Sequence, residues 1–145
     1  MKKIGLVLGS VLFLNISAAQ ANEIQLARID TNDCTAEQNE IQLLNGPNAS
    51  IYTYCESGTF YGKNGRVYPF RLSTTVGVPY VVAPGMSIQL ASIDTHNCSL
   101  DQSEVNLLNS AKVKVTTSCE TGSFVGQNGQ VYAERLNTYI TINSL

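Results

Sequence analysis

Residues 55–72 read CESGTFYGKNGRVYPFRL, and residues 119–136 read CETGSFVGQNGQVYAERL. Each stretch places Asn-Gly between two short β-rich runs, the sequence sign of a tight β-hairpin. The spacing predicts two-residue type I′ turns at Asn64-Gly65 and Asn128-Gly129, because Gly takes positive φ freely and Asn tolerates it. Such a turn fixes a register. Lys63 faces Arg66, Gly62 faces Val67, Tyr61 faces Tyr68, Phe60 faces Pro69 and Thr59 faces Phe70. Directly opposed residues share a face. Phe60, Gly62, Val67 and Pro69 then form the core face. Thr59, Tyr61, Lys63, Arg66, Tyr68 and Phe70 form the outward face.

The likeness runs well beyond the hairpin. Displaced by 64 residues, Ile24–Val76 lies on Ile88–Ile140 with 26 identities in 53 pairs and no gap. Chance does not produce such agreement, so the chain reads as an internal duplication. The expected fold class is all-β: two tandem disulfide-stapled β-repeats of about 64 residues related by a pseudo-twofold, with room for one short helical turn in each. Residues 22–76 make the first repeat and 88–145 the second. Residues 77–87, GVPYVVAPGMS, link them, and Tyr80-Val81-Val82 is a candidate extra strand. Strands are expected at Glu23–Ile29, Glu40–Leu44 and Ala49–Cys55, and again at Ser87–Ile93, Glu104–Leu108 and Val113–Cys119. In the middle strands Ile41 and Leu43, with Val105 and Leu107, should face inward. A helix from Thr35 or Ser99 to Leu44 or Leu108 is the alternative there, since Thr35-Ala36-Glu37-Gln38 fits a capping box.

Residues 1–21, MKKIGLVLGSVLFLNISAAQA, have the three parts of a secretory signal peptide: Lys2 and Lys3, an apolar run from Ile4 to Leu14, and Ala19-Gln20-Ala21 as a cleavage site. Cleavage takes the formal charge from −2 to −4. The product is expected in the periplasm or outside the cell. An exported chain with an even number of cysteines implies disulfides. The internal likeness favours Cys34–Cys55 and Cys98–Cys119 over pairings exchanged between repeats. Each closes a loop of about 20 residues, worth about 3 kcal/mol by chain entropy.

Other chemistry is sparse. The acidic balance leaves no basic footprint for nucleic acid. The mature sequence has no apolar run of spanning length, so no membrane span is expected. The cysteines lack a zinc-knuckle spacing, and Asp30-Thr31-Asn32-Asp33 lacks the glycine and terminal glutamate of a calcium loop. No metal or other cofactor is therefore expected. His96 stands alone, so no nucleophilic triad or dyad is repeated. Carboxylates at Asp30, Glu40 and Glu56 recur at Asp94, Glu104 and Glu120 and suit turns and strand surfaces better than glycoside chemistry. No enzyme activity and no catalytic residue is expected. Arg71, Asn45, Asn64 and Glu56 recur at Arg135, Asn109, Asn128 and Glu120. They serve either repeated hydrogen bonding within the fold or two equivalent ligand sites.

The repeats differ most on the outward face. The first gathers Tyr52, Tyr54, Tyr61, Tyr68 and Phe70 with Lys63 and Arg66. The second has Thr116, Ser118, Val125, Tyr132, Glu134, Gln127 and Gln130 at those positions. Aromatics and Arg dominate interface hot spots. The expected function is a non-enzymatic binding protein recognising another protein, in the manner of an inhibitor, immunity factor or host-contact protein. A carbohydrate-binding tandem-repeat protein is the alternative, and a small secreted hydrolase stands behind both. A second copy of the chain, or internal packing, would also cover such a face.

Overall fold

The computed structural model describes residues 22–144; the expected signal peptide lies outside the described residues. The first half contains β1 (Glu23–Gln25), β2 (Ile29–Thr31), α1 (Cys34–Gln42), β3 (Ser50–Tyr61) and β4 (Val67–Gly77). The second repeats that order with β5 (Ser87–Gln89), β6 (Ile93–Thr95), α2 (Cys98–Val105), β7 (Val113–Val125) and β8 (Val131–Ile142). The protein is mostly β, in two antiparallel sheets, with one helix in each half. β4 is the centre of the first sheet. It pairs along one edge with β3 and along the other with β1 and then β2. β8 plays the same part in the second sheet.

The middle strands expected at Glu40–Leu44 and Glu104–Leu108 are not strands: α1 runs to Gln42 and closes in a turn, and α2 runs to Val105 and continues as a short 3-10 helix at Asn106–Leu108. Ile41 and Leu44 are buried while Leu43 is exposed, and Val105 and Leu108 are buried while Leu107 is exposed. That spacing of three is a helical stripe, which five residues of sequence do not distinguish from alternation. The helix starts earlier than the Thr35 box. Asp33 is the N-cap, its Oδ1 accepting from the Ala36 N–H at 3.1 Å, and Asn97 accepts from Leu100 N–H at 3.2 Å. Helix and sheet are then joined by chemistry. Gln38 and Gln102 donate to Thr53 and Thr117 on β3 and β7 at 2.7 and 2.8 Å. The disulfides Cys34–Cys55 and Cys98–Cys119 clamp the same elements.

The two sheets share one core. Ile24, Leu26, Ile51, Leu72 and Val76 join Ile88, Leu90, Val115, Leu136 and Ile140 in a single buried cluster. The halves also exchange backbone bonds reciprocally: the Ala91 N–H donates to Leu44 C=O at 3.1 Å and the Ala27 N–H to Leu108 C=O at 3.0 Å. Leu44 and Leu108 are fully enclosed at these crossing points. The segment 78–86 forms no strand at Tyr80–Val82. It inserts Val78 and Val82 into the core and leaves Tyr80 and Val81 exposed.

The hairpin register differs from the type I′ expectation by one residue. Gly62 donates to Arg66 C=O at 2.9 Å and Gly65 to Gly62 C=O at 3.0 Å, so the loop is three residues, Lys63-Asn64-Gly65. Only the glycine takes positive φ, +81° at Gly65 and +83° at Gly129. This is a type I turn closed by a left-handed glycine. Asn64 keeps an ordinary φ and spends its side chain on the turn: Oδ1 accepts from the Arg66 N–H, and Nδ2 donates to Tyr68 Oη at 2.8 Å. Tyr61 therefore faces Val67, and Phe60 faces Tyr68. The register shifts again between Ser57 and Phe60, and between Thr121 and Phe124, at a bulge in each long strand.

Candidate functional site

The altered register divides the aromatic face. Tyr52, Tyr54 and Tyr61 stand on β3 with 57, 67 and 73 % of their surface exposed. Lys63 and Arg66 lie exposed at the adjoining hairpin loop. Val67, expected in the core, faces Tyr61 and is 54 % exposed. Tyr68 and Phe70 do not join this surface as expected. Both are half-buried, Tyr68 tied to Asn64 and Phe70 packed against the core. Inserting one loop residue moves one strand's side chains to the opposite face, which is the physical reason for the split.

Position 70 shows why the halves diverge there. The equivalent Glu134 accepts a hydrogen bond from the Cys98 N–H at 3.0 Å, filling an otherwise unpaired donor at the start of α2. Phe70 makes no such bond and packs against the hydrophobic core. Half-burial against the core accounts for the Phe70 side chain without a ligand.

Polar residues common to both halves also have internal partners. Arg71 Nε binds Asp30 Oδ1 at 2.7 Å, and Arg135 Nε binds Asp94 Oδ1 at the same distance. Each guanidinium carbon lies 4.5 Å from the centroid of Phe60 or Phe124. The bidentate-capable Arg is thus fixed by a carboxylate on one side and an aromatic ring on another. Asn45 and Asn109 accept from the Ile51 and Val115 N–H groups at 2.9 and 2.8 Å. Glu56 and Glu120 lie across the strand pair from Arg71 and Arg135.

One electrostatic feature spans the two halves. Burial raises the carboxyl of Glu37 above its ordinary value, and neighbouring Glu40 adds to the effect. Glu40 and Glu104 are raised first by burial as well, then by Glu104 and by Glu37 respectively, with Asp101 contributing to both. The Glu37 and Glu104 carboxyls interact between the helices, and Glu37 Oε2 is buried without a protein donor. His96 is exposed and lies against Tyr132, ring centroids 4.6 Å apart.

Among the described residues, no group of three or more His, Cys, Asp and Glu is placed to hold a metal ion. No helix among them is long and apolar enough to cross a membrane. No protein-family model matches the chain, and neither a curated protein nor a solved structure is detectably similar to it.

Proposed function

We propose that this is an exported, non-enzymatic protein that binds another protein through the outward side of β3 and the hairpin loop beside it. One observation carries the reading. Tyr52, Tyr54 and Tyr61 are each more than half exposed on one strand, and Thr116, Ser118 and Val125 occupy the equivalent places in a sheet of the same topology. The fold does not require the tyrosines, since the second half makes the same sheet without them. Their rings offer large contact area at low entropic cost, and Lys63 and Arg66 add charge at the rim. Two intrachain disulfides suit an oxidising compartment, and Met1–Ala21 supplies an export signal. The same reading takes the halves as copies of one unit, of which the first acquired the contact surface.

The test uses the second half as a template. The triple exchange Tyr52→Thr, Tyr54→Ser and Tyr61→Val installs residues the fold already accepts. Mature protein and variant serve as bait for cross-linking and mass spectrometry on envelope and secreted fractions. The partner retained by the wild type should bind the variant at least tenfold more weakly, with the melting temperature unchanged. Equal binding by the variant removes the face from the function.

A further inference from the structure

We propose that a cleft between the end of α1 and the second hairpin binds a neutral saccharide, held by Arg135 and Asp94. The cleft is open to solvent and spans about 630 Å³, within the range of about 300–1,000 Å³ of small-ligand sites. It is built by both halves. Gln42, Leu43 and Asn45 close α1 on one side; Ser92, Asp94 and Arg135 lie in the second sheet, with Val125 to Asn128 at its hairpin. The Ala91-to-Leu44 backbone bond holds the two walls together.

The chemical class follows from which groups remain free. Arg135 spends Nε on Asp94 and rests against Phe124, so its orientation is fixed before any ligand arrives. Its two terminal amino groups have no other partner among the described residues, and neither has Asp94 Oδ2. Gln42 donates Nε2 to Thr53 and keeps Oε1 free, while Asn45 accepts at Oδ1 and keeps Nδ2 free. The Gln127 amide has no partner among the described residues and adds both a donor and an acceptor. The lining therefore offers both donors and acceptors, and its one cation is matched by its one carboxylate. A ligand that donates and accepts at successive positions without net charge is a polyhydroxylated one. The exposed side chains of Leu43 and Val125 offer apolar surface to the C–H face of a sugar ring. A phosphate or carboxylate ligand would meet Asp94, and an apolar one would strand the free amides unpaired.

The first half shows how the site would be lost. Ser92, Val125 and Gln127 correspond to Arg28, Tyr61 and Lys63, which add bulk and two positive charges at the same rim. The cleft site is independent of the tyrosine face, whose residues Tyr52, Tyr54 and Tyr61 do not line it.

The experiment titrates isotope-labelled mature protein with maltotriose, cellotriose and chitotriose at millimolar concentration, followed by backbone and side-chain NMR. At least one trisaccharide should shift resonances of Asp94, Val125, Gln127 and Arg135 with saturation. The rim exchange S92R/V125Y/Q127K alters exposed positions only. It should weaken that binding at least tenfold, with the melting temperature preserved and shifts outside the cleft moved only around Asn137, whose Oδ1 loses the Ser92 hydroxyl. Trialanine in the same titration should leave the cleft resonances unmoved. No response to any of the three sugars, binding that survives the rim exchange, or saturable binding of trialanine instead would each overturn the proposal. Failure of the tyrosine exchange would leave this result unaffected.

Discussion

The two halves place the same polar side chains in the same roles and then part company on their surfaces. Asp30–Arg71–Phe60 matches Asp94–Arg135–Phe124, and Asn64–Tyr68 matches Asn128–Tyr132. Gln38–Thr53 matches Gln102–Thr117. These pairs orient side chains or staple the backbone, so identity between halves has a structural cause and does not by itself mark a ligand site. Divergence collects where the sheet meets solvent. There Tyr52, Tyr54, Tyr61, Lys63 and Arg66 stand against Thr116, Ser118, Val125, Gln127 and Gln130. The difference teaches that shared polar residues are poor evidence of duplicated ligand sites, and that the asymmetric positions are where function should be sought.

The comparison breaks first if the halves prove to be energetically separate. Replacing Cys34 and Cys55 together by Ala should cost about 2–5 kcal/mol, and replacing Cys98 and Cys119 should cost a similar amount. Because one buried cluster spans both sheets, each variant should still unfold in a single denaturant transition seen alike by fluorescence and circular dichroism. Two separated transitions would mean the core does not couple the halves.

Turn equivalence gives a smaller effect. Gly65→Ala and Gly129→Ala should each lose about 1–2 kcal/mol, the penalty of placing a Cβ in left-handed backbone. An added Cβ meets no atom within 4 Å at either position, so the two losses should agree. Chemical denaturation of each variant measures this, and unequal losses would reveal a contact of one loop that the other lacks.

Thr74 and Thr138 should move stability the other way. Both are fully buried, and neither hydroxyl has a hydrogen-bond partner. Thr→Val keeps the shape and removes the unsatisfied group, so each variant should gain about 1 kcal/mol, and the double variant about twice that. A loss at either site, read by thermal unfolding, would show that its hydroxyl finds a partner after all.

The smallest effect belongs to the carboxylates between the helices. Glu37, Glu40 and Glu104 have folded-state values raised above 4.5, chiefly by burial. The folded protein therefore holds protons that the unfolded chain has released. Stability from these groups is fully present below the unfolded value and is lost as pH rises through the raised folded values. The melting temperature should rise as pH falls through the raised folded values towards the ordinary carboxylate range. Glu37→Gln with Glu104→Gln should flatten that slope and raise the melting temperature at neutral pH. An unchanged slope would place the pH dependence elsewhere.

Some of the structure was plain in the residues themselves. The displacement of 64 positions carried the cysteine pairing, since each pair recurs with a separation of 21. Period-two alternation in Ile51, Thr53 and Cys55 marked β3, and Asn-Gly marked both hairpins. These features are local, or are repeated along the chain, so no partner element is needed to read them. The tertiary structure decided the rest. Whether residues 40–44 alternate or turn depends on what Ile41 and Leu44 pack against, and the shared core chose the helix. Whether Asn64 or only Gly65 takes positive φ depends on how the loop closes; the bonds from Gly62 and Gly65 chose three residues. That single residue kept Tyr61 outward, as expected, but turned Tyr68 and Phe70 to the half-buried face and Val67 into solvent. Register is a property of two strands together, and a slip of one residue reverses a face. The free amides and fixed arginine beside the second hairpin likewise come from elements distant in sequence, brought together only by the packing of one half on the other.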